Sequence, residues 1–556
     1  MVSQGLPLNH QPNYHAERKD DIQLDDLQSG HSPNFQNVPD NEKEEEYDDN
    51  DEDDKSSVQD WELFTPDEEK SLLRKLDTRL VLFLALLYML SFLDRSNIGN
   101  ARVAGMSKSL RLSPTQFEWL LTGFYISYIC FEWMTLFFAS LSWAVRVTPR
   151  TTPKGDRLRY KVFPPHAYIS ICVLAWGCLA SLQSVSTGFG TLLILRTLLG
   201  VSEAAFGPGV PFYLSFFYKR NELAFRTGLF ISAAPLASSF ASTLAFAIVK
   251  LGNHTVIDSW RLLFIIEGFP SILIAVWAWY IIPDSPSTSP WLSTREREIA
   301  TLRLRKQEST SQTQVSGIGR KKRFDWSAVR RTLCDPKSYM TAGCFFSLNV
   351  AFSSMPVFAP IIIQNMGYSA VQAQGLAAPP HLFAFVVVLV TSIVSDRSQS
   401  RSIPIIIHAL LAMVGYMLLA LAPKMHLSTT AQYLCTFPIT AGFFSAVTTV
   451  IVWTVNNQQS EEGRGSNVAL LNIIGQLGPL VGTRLYPDSD APSYTRGHAI
   501  CAGFMALVAL LATVLRVILT RANAASCAAR AITQDGAHRP LVASSASTAG
   551  DFEYIL

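Results

Sequence analysis

The chain has 556 residues, of which 49% are hydrophobic and 16% charged, against about 25% charged in soluble domains. That balance excludes a string of soluble domains and points to a membrane body. The charge is uneven: residues 1–76 hold 21 Asp and Glu against 7 Lys and Arg, a net of −14. The whole chain is +2, so residues 77–556 carry +16.

The acidic head, 1–76, opens with a polar stretch whose densest part is Glu44–Asp54. Like charges at that density repel and little apolar surface offsets chain entropy, so a disordered tail is expected. With no apolar core in the first 60 residues, the first membrane helix is expected to direct insertion itself. Thr65-Pro66-Asp67-Glu68 reads as a capping box with proline at the first helical position. Leu72, Leu73 and Leu76 make the helix that follows amphipathic.

Twelve stretches are then long enough to cross a hydrocarbon core of about 30 Å. They are 78–98, 116–138, 164–184, 191–217, 225–250, 260–282, 339–363, 373–395, 403–422, 430–455, 466–486 and 498–520. The expected fold is all-α, two bundles of six transmembrane helices: 77–282, a basic linker 283–338, then 339–520 and a tail 521–556. With the N-terminus inside, cytoplasmic loops hold 24 Lys and Arg and external loops six, which puts both termini in the cytoplasm. Asn253-His254-Thr255 is then an external glycosylation sequon. Gly319–Arg323 is basic, and in this setting reads as a linker drawn to anionic lipid rather than a nucleic-acid patch.

The eight cysteines form no C-x-x-C pair and mostly fall in apolar runs. They read as small buried hydrophobes. No disulfide framework, zinc site or other metal site is indicated, and no cofactor is required. No nucleophile–base constellation suggests an enzyme.

Ionisable groups inside spans are costly and are functional suspects by default. Asp94 and Arg95 follow the apolar run Leu80–Leu93. Neighbours on a helix point about 100° apart, so one can face a partner helix and the other a cavity. Arg196 and Glu203 are two turns apart on one face, among Gly200, Gly207 and Gly209. Two readings stand: protons taken up by Asp94 and Glu203 with arginines holding an anion, or a charge network bracing the bundle. Glu132, Arg261 and Glu267 read as helix-end or bundle anchors, and His381 as a satisfied polar group.

Leu93-Asp94-Arg95-Ser96-Asn97-Ile98-Gly99-Asn100-Ala101 resembles the first-helix signature of fungal allantoate and nicotinate permeases, in the anion:cation symporters of the major facilitator superfamily. Leu195-Arg196 with Gly200 and Glu203-Ala204, Trp260-Arg261 with Phe264–Gly268, Pro283–Pro286, Ser395-Asp396-Arg397, and Asn456-Asn457 with Gly463 also match. The resemblance covers about 77–520. It implies proton-coupled uptake of a small organic anion by a plasma-membrane monomer working by alternating access. It implies that Arg95 contacts the substrate carboxylate, that Asp94 and Glu203 take the protons, and that Arg196 is an electrostatic partner. Tyr128 carries over as a cavity-lining hydroxyl, while Asn349, Asn467, Asn472 and Gln476 are assigned to the opposite wall from polarity. Asp396, Arg397 and Arg401 match the superfamily's D-R-x-x-x-R loop, which latches helix ends, and Arg226 reads as a loop anchor.

One departure is Phe138–Arg159, about twenty residues beyond the family's usual second loop; it reads either as a retained intron or as a genuine loop insertion. Rival functions are a drug exporter and a nutrient-sensing receptor that binds without translocating. Gly228–Pro235 lacks the exporters' G-x-x-x-G-P pattern, and the intact acids favour transport over sensing.

Overall fold

The computed structural model describes residues 64–147, 164–535 and 554–555, save 205, 208, 252–256, 314–325 and 459–460. The sequon at Asn253 and most of the Phe138–Arg159 insertion lie outside the described residues. At Thr65 the capping box forms: its Oγ1 accepts the Glu68 N–H at 3.3 Å, and the Glu68 carboxylate accepts the Thr65 N–H at 2.9 Å. Two orphan donors are thereby satisfied reciprocally. Helix α1 (Pro66–Leu76) buries Leu72 and Leu76, then passes through one π-helical turn, Asp77–Val81, into α2 (Leu82–Val103).

The first half continues with α3 (Pro114–Val147), α4 (Pro165–Leu182), α5 (Phe189–Ala204), α6 (Gly209–Leu214), α7 (Arg220–Ile231), α8 (Ala233–Leu251) and α9 (Ser259–Ile281). Two helices, α10 (Thr294–Thr313) and α11 (Trp326–Leu333), occupy the linker. The second half holds α12 (Pro336–Asn365), α13 (Ala370–Ser398), α14 (Ser402–Leu421), α15 (Thr429–Leu434), α16 (Thr436–Asn456), α17 (Glu461–Gly475), α18 (Gly478–Gly482) and α19 (Thr495–Asp535).

Among the described residues, ten helical stretches are long and apolar enough to cross a membrane. The two other expected spans fall on α3 and on the pair α17–α18. The first is longer than expected, because its sequence meets neither proline nor glycine between Gly123 and Pro149. The second is broken after Gly475. Tight packing requires glycine there: a Cβ at Gly475 would lie 2.1 Å from the Phe345 ring, and one at Gly478 would lie 2.5 Å from the Phe346 carbonyl oxygen. The expected span 191–217 also divides, between α5 and α6, where the sequence runs Gly207-Pro208-Gly209. The last helix runs past the expected start of the tail at 521, carried by alanines 522, 524, 525, 528, 529 and 531, the best helix formers.

Burial sorts the helices. The apolar window of α12 is 89% buried and that of the α15–α16 segment 83%, against 39% for α13, α14 and α19. The first pair is therefore central, while the other three present Val386, Val390, Ile407, Val414 and Leu510 outward, as a lipid-facing surface does.

The two halves meet where α8 packs on α13, α2 on α12, α3 on α18 and α7 on α16. Most of this seam lies away from the side where α1 begins, here called the far side; the other is the terminal side. A Cβ at Gly99 would stand 2.0 Å from the Val357 carbonyl oxygen, so α2 and α12 touch backbone to backbone, as small residues in membrane helices allow. Around that contact Gln374 donates to the Asn100 carbonyl at 3.0 Å, Thr122 and Thr483 share a bond of 3.2 Å, and Arg102 grips Asp488 at 2.5 and 2.6 Å. One continuous core joins the far-side parts of α2 and α3 to the second half, while the terminal-side part of the first half packs as a core of its own. The far side is closed.

On the terminal side the linker is docked rather than loose. Glu296 of α10 pairs with Lys75 at 2.7 Å. The fully buried Arg303 binds Glu222 and lies 3.5 Å from Glu69, which also takes Lys219 at 2.6 Å. Arg226 holds Asp77, at the π-helical turn, through bonds of 2.8 and 3.0 Å. Arg226 thus ties α7 to the junction of α1 and α2. Arg303 carried no warning, being one of several bases in the polar linker segment Thr294–Thr313.

Candidate substrate and coupling site

The apolar face of α2 ends at three polar residues within two turns. Ser91 and Arg95, one turn apart, share one neighbour and Asp94, adjacent to Arg95, has another, since residues four apart share a face and adjacent ones do not. Asp94 is buried against α9, where the Ser271 hydroxyl donates to its Oδ2 at 3.3 Å. Arg95 turns the other way. Its Nε and Nη2 donate to Glu203 Oε2 of α5 at 3.1 and 2.9 Å, and Ser91 donates to the same oxygen at 3.0 Å. The Glu203 side chain is fully buried and that of Arg95 only 12% exposed.

Two aromatic rings of α3 complete the cage around Arg95. Its guanidinium carbon lies 4.7 Å from the Tyr128 ring centroid and 5.2 Å from that of Phe124, within the range of cation–π attraction. Gly207 leaves room for the tyrosine, because a Cβ there would come within 2.6 Å of its hydroxyl. Arg196, also fully buried, donates to the Arg95 backbone carbonyl at 3.3 Å. Its Nε and Nη2 have no hydrogen-bond partner among the described residues, and its charged neighbours are Glu203, Asp94 and Glu267.

The predicted residues Asp94, Arg95, Tyr128, Arg196 and Glu203 are therefore brought together. Three others were under-read. Glu267 is not at a helix end: it is buried one turn before Ser271, within electrostatic range of Asp94 and Arg196, and neither carboxylate oxygen has a hydrogen-bond partner among the described residues. The i, i+4 spacing of Glu267 and Ser271 was the signal available. Glu132 is buried too, with Arg95 and Gln476 as its neighbours, so it reaches the second half at the α17–α18 break. Ser91 was hidden inside an apolar run.

The opposite wall differs from its polarity-based expectation. Asn349 is buried and donates to the Gly475 carbonyl at 3.1 Å, satisfying a group the helix break leaves without its regular partner. Asn472 is half-buried, and its carbonyl accepts the Gln476 N–H at 2.9 Å. Asn467 lies against the Thr454 carbonyl at 3.5 Å. Of this group Gln476 stands nearest the charged cluster. His381 bonds the Ala377 carbonyl at 2.7 Å, and Arg261 sits at the far end of α9 beside Asp258 and the Ser184 carbonyl.

A family model described as Major Facilitator Superfamily matches residues 84–483. The chain belongs to the Major Facilitator Superfamily. It is similar to the major facilitator-type transporter hxnP of Emericella nidulans, at 30% identity over 77% of this chain and 81% of the relative. The high-affinity nicotinic acid transporter of Saccharomyces cerevisiae is 27% identical over 81% of this chain and 78% of its own length. Among solved structures, a D-xylose-proton symporter superposes with a TM-score of 0.54 at 16% identity, covering 78% of this chain and 97% of its own; that likeness is one of fold.

This major facilitator transporter carries its D-R-x-x-x-R motif across the end of α13. Arg401 pairs with Asp396 and donates to Ser395 Oγ at 3.0 Å, whereas Arg397 is exposed. The described side chains of the transporter contain no group of three or more His, Cys, Asp or Glu residues placed to hold a metal.

Proposed function

We propose that this transporter imports a small organic anion, a carboxylate of the nicotinate, allantoate or pantothenate kind, in symport with protons. The observation that carries the reading is the pairing of Arg95 with Glu203 inside an aromatic cage, beside the second acidic cluster of Asp94 and Glu267. A guanidinium presents parallel donors that match a carboxylate. Here those donors already hold one, so an anionic substrate must compete with Glu203. Protonating Glu203 weakens its hold, because the ion pair is lost and only a bond from the still-charged guanidinium to a neutral acceptor is left.

Arg95, held over the Phe124 and Tyr128 rings, then takes the substrate. A second proton shared between Asp94 and Glu267 would lower the cost of two buried acids side by side, with Arg196 balancing the remainder; such acids titrate as a coupled set. Once the cavity opens to the opposite side, proton loss lets Glu203 reclaim Arg95 and expel the anion. The cycle is alternating access between the two six-helix halves. The excess of Lys and Arg in the loops on the terminal side supports cytoplasmic termini, and a plasma-membrane location suits uptake. The named nicotinic acid transporter among the relatives supports a carboxylate substrate.

The test is tracer uptake of allantoate, nicotinate and pantothenate by cells expressing the chain, at several external pH values. Concentrative uptake of one of them, rising as external pH falls, is the expected result. Uptake of all three indistinguishable from empty cells, or uptake indifferent to pH, would overturn it.

A further inference from the structure

Beyond the transport site, the terminal side of the second half holds a peptide. Tyr554 and Ile555 lie across the ends of α12, α16 and α19, with contacts to their backbone on both edges. Asn523 of α19 accepts the Tyr554 N–H at 2.9 Å and donates to the Tyr554 carbonyl at 2.8 Å. Asn457, just past α16, accepts the Ile555 N–H at 2.8 Å and donates to the Ile555 carbonyl at 3.0 Å. A third donor, the indole N–H of the buried Trp453, reaches the Ile555 carbonyl at 2.8 Å.

This is recognition of an extended backbone. Consecutive residues of an extended chain turn their N–H and C=O groups to opposite edges, and here one asparagine serves each edge. Such main-chain bonding is indifferent to sequence; side-chain contacts supply selectivity. Tyr554 supplies them: Lys337 of α12 donates to its hydroxyl at 3.0 Å and lies 4.3 Å from its ring centroid, while the ring packs against the core.

We propose that Trp453, Asn457, Asn523 and Lys337 form a built peptide-binding groove whose resident ligand is the chain's own Tyr554–Ile555, acting as a strap on the terminal-side gate. Its partner class is an extended peptide bearing a tyrosine followed by an aliphatic residue. The strap joins α16 to α12 and α19, and α16 packs on α7 of the other half, more extensively than α13 does. With the strap bound, the end of α16 moves only with its own bundle. Released, it can bend alone, and a competing peptide of the same class could release it.

Hydrogen–deuterium exchange of the full chain in detergent, resolved by mass spectrometry, tests this without reference to any substrate. The peptide containing 554–555 should exchange roughly tenfold more slowly than free chain. Ile555→Pro removes one strap donor without touching any helix, and Asn457→Ala with Asn523→Ala removes both clamps. Each should return the tail to the free-chain rate and speed exchange at residues 448–457 several-fold. A tail already at the free-chain rate in the parent would overturn the proposal. So would a tail freed by Ile555→Pro with exchange at 448–457 unchanged.

Discussion

Replacing Glu203 by glutamine imitates its protonated form and tests the competition at Arg95 directly. In the folded chain Arg95 makes two bonds to one carboxylate oxygen of the fully buried Glu203 side chain, at 3.1 and 2.9 Å. Removing the carboxylate charge removes an ion-pair attraction of about 4 kcal/mol at ~4 Å and an effective dielectric of about 20. Part of it is retained by the glutamine's bonds from the still-charged guanidinium, so the internal competitor weakens by about 2–3 kcal/mol. At about 1.4 kcal/mol per tenfold, substrate affinity at high pH should rise by roughly thirtyfold to hundredfold. On the proposed competition, protonation of the parent at low pH should make the two proteins converge, and the variant's affinity should be nearly flat with pH. Equilibrium binding of the labelled anion that the uptake screen identifies, to purified protein between pH 5 and 8, is the assay. Concentrative uptake should be lost in the same variant while exchange of internal for external anion persists. An affinity that falls in Glu203→Gln, or retains the parent's pH dependence, would refute the argument that Glu203 and substrate compete for Arg95.

Asp94→Asn should abolish accumulation against a gradient yet spare exchange, read by counterflow in vesicles; undiminished accumulation would remove Asp94 from the coupling set. Arg95→Lys should bind the anion at least tenfold more weakly despite keeping its charge, because an ammonium cannot reproduce the guanidinium fork; unchanged affinity would place the anion elsewhere. Gly99→Ala puts a Cβ 2.0 Å from the Val357 carbonyl oxygen, and such overpacking costs about 1–3 kcal/mol. It should part α2 from α12 and increase maleimide labelling of a Thr483→Cys reporter, whereas unaltered labelling would contradict the backbone contact. Arg303→Met should lower the thermal midpoint, since Glu222 loses its buried partner at a cost of about 2–3 kcal/mol, somewhat below that of a fully buried pair; an unchanged melt would make the linker's docking energetically idle.

Composition and hydropathy were enough for an all-helical membrane body in two halves, because a span must satisfy every backbone group within itself and so writes itself as a local run of apolar residues. Thr65–Glu68 announced the first helix for the same reason, its bonds being three residues apart. Charges isolated in apolar runs likewise marked Asp94, Arg95, Arg196 and Glu203. What no local pattern contains is partner choice. Glu203 lies 108 positions from Arg95, and only helix packing decides that it pairs there rather than with Arg196 on its own face. Packing also brought Glu267 within electrostatic range of Asp94 and Arg196, set Asn349 against the Gly475 carbonyl, buried Arg303 under α1 and α7, and carried Tyr554 and Ile555 back onto α16. In each case the deciding energy is the cost of leaving a buried polar group without a partner, and that cost exists only once the helices have come together.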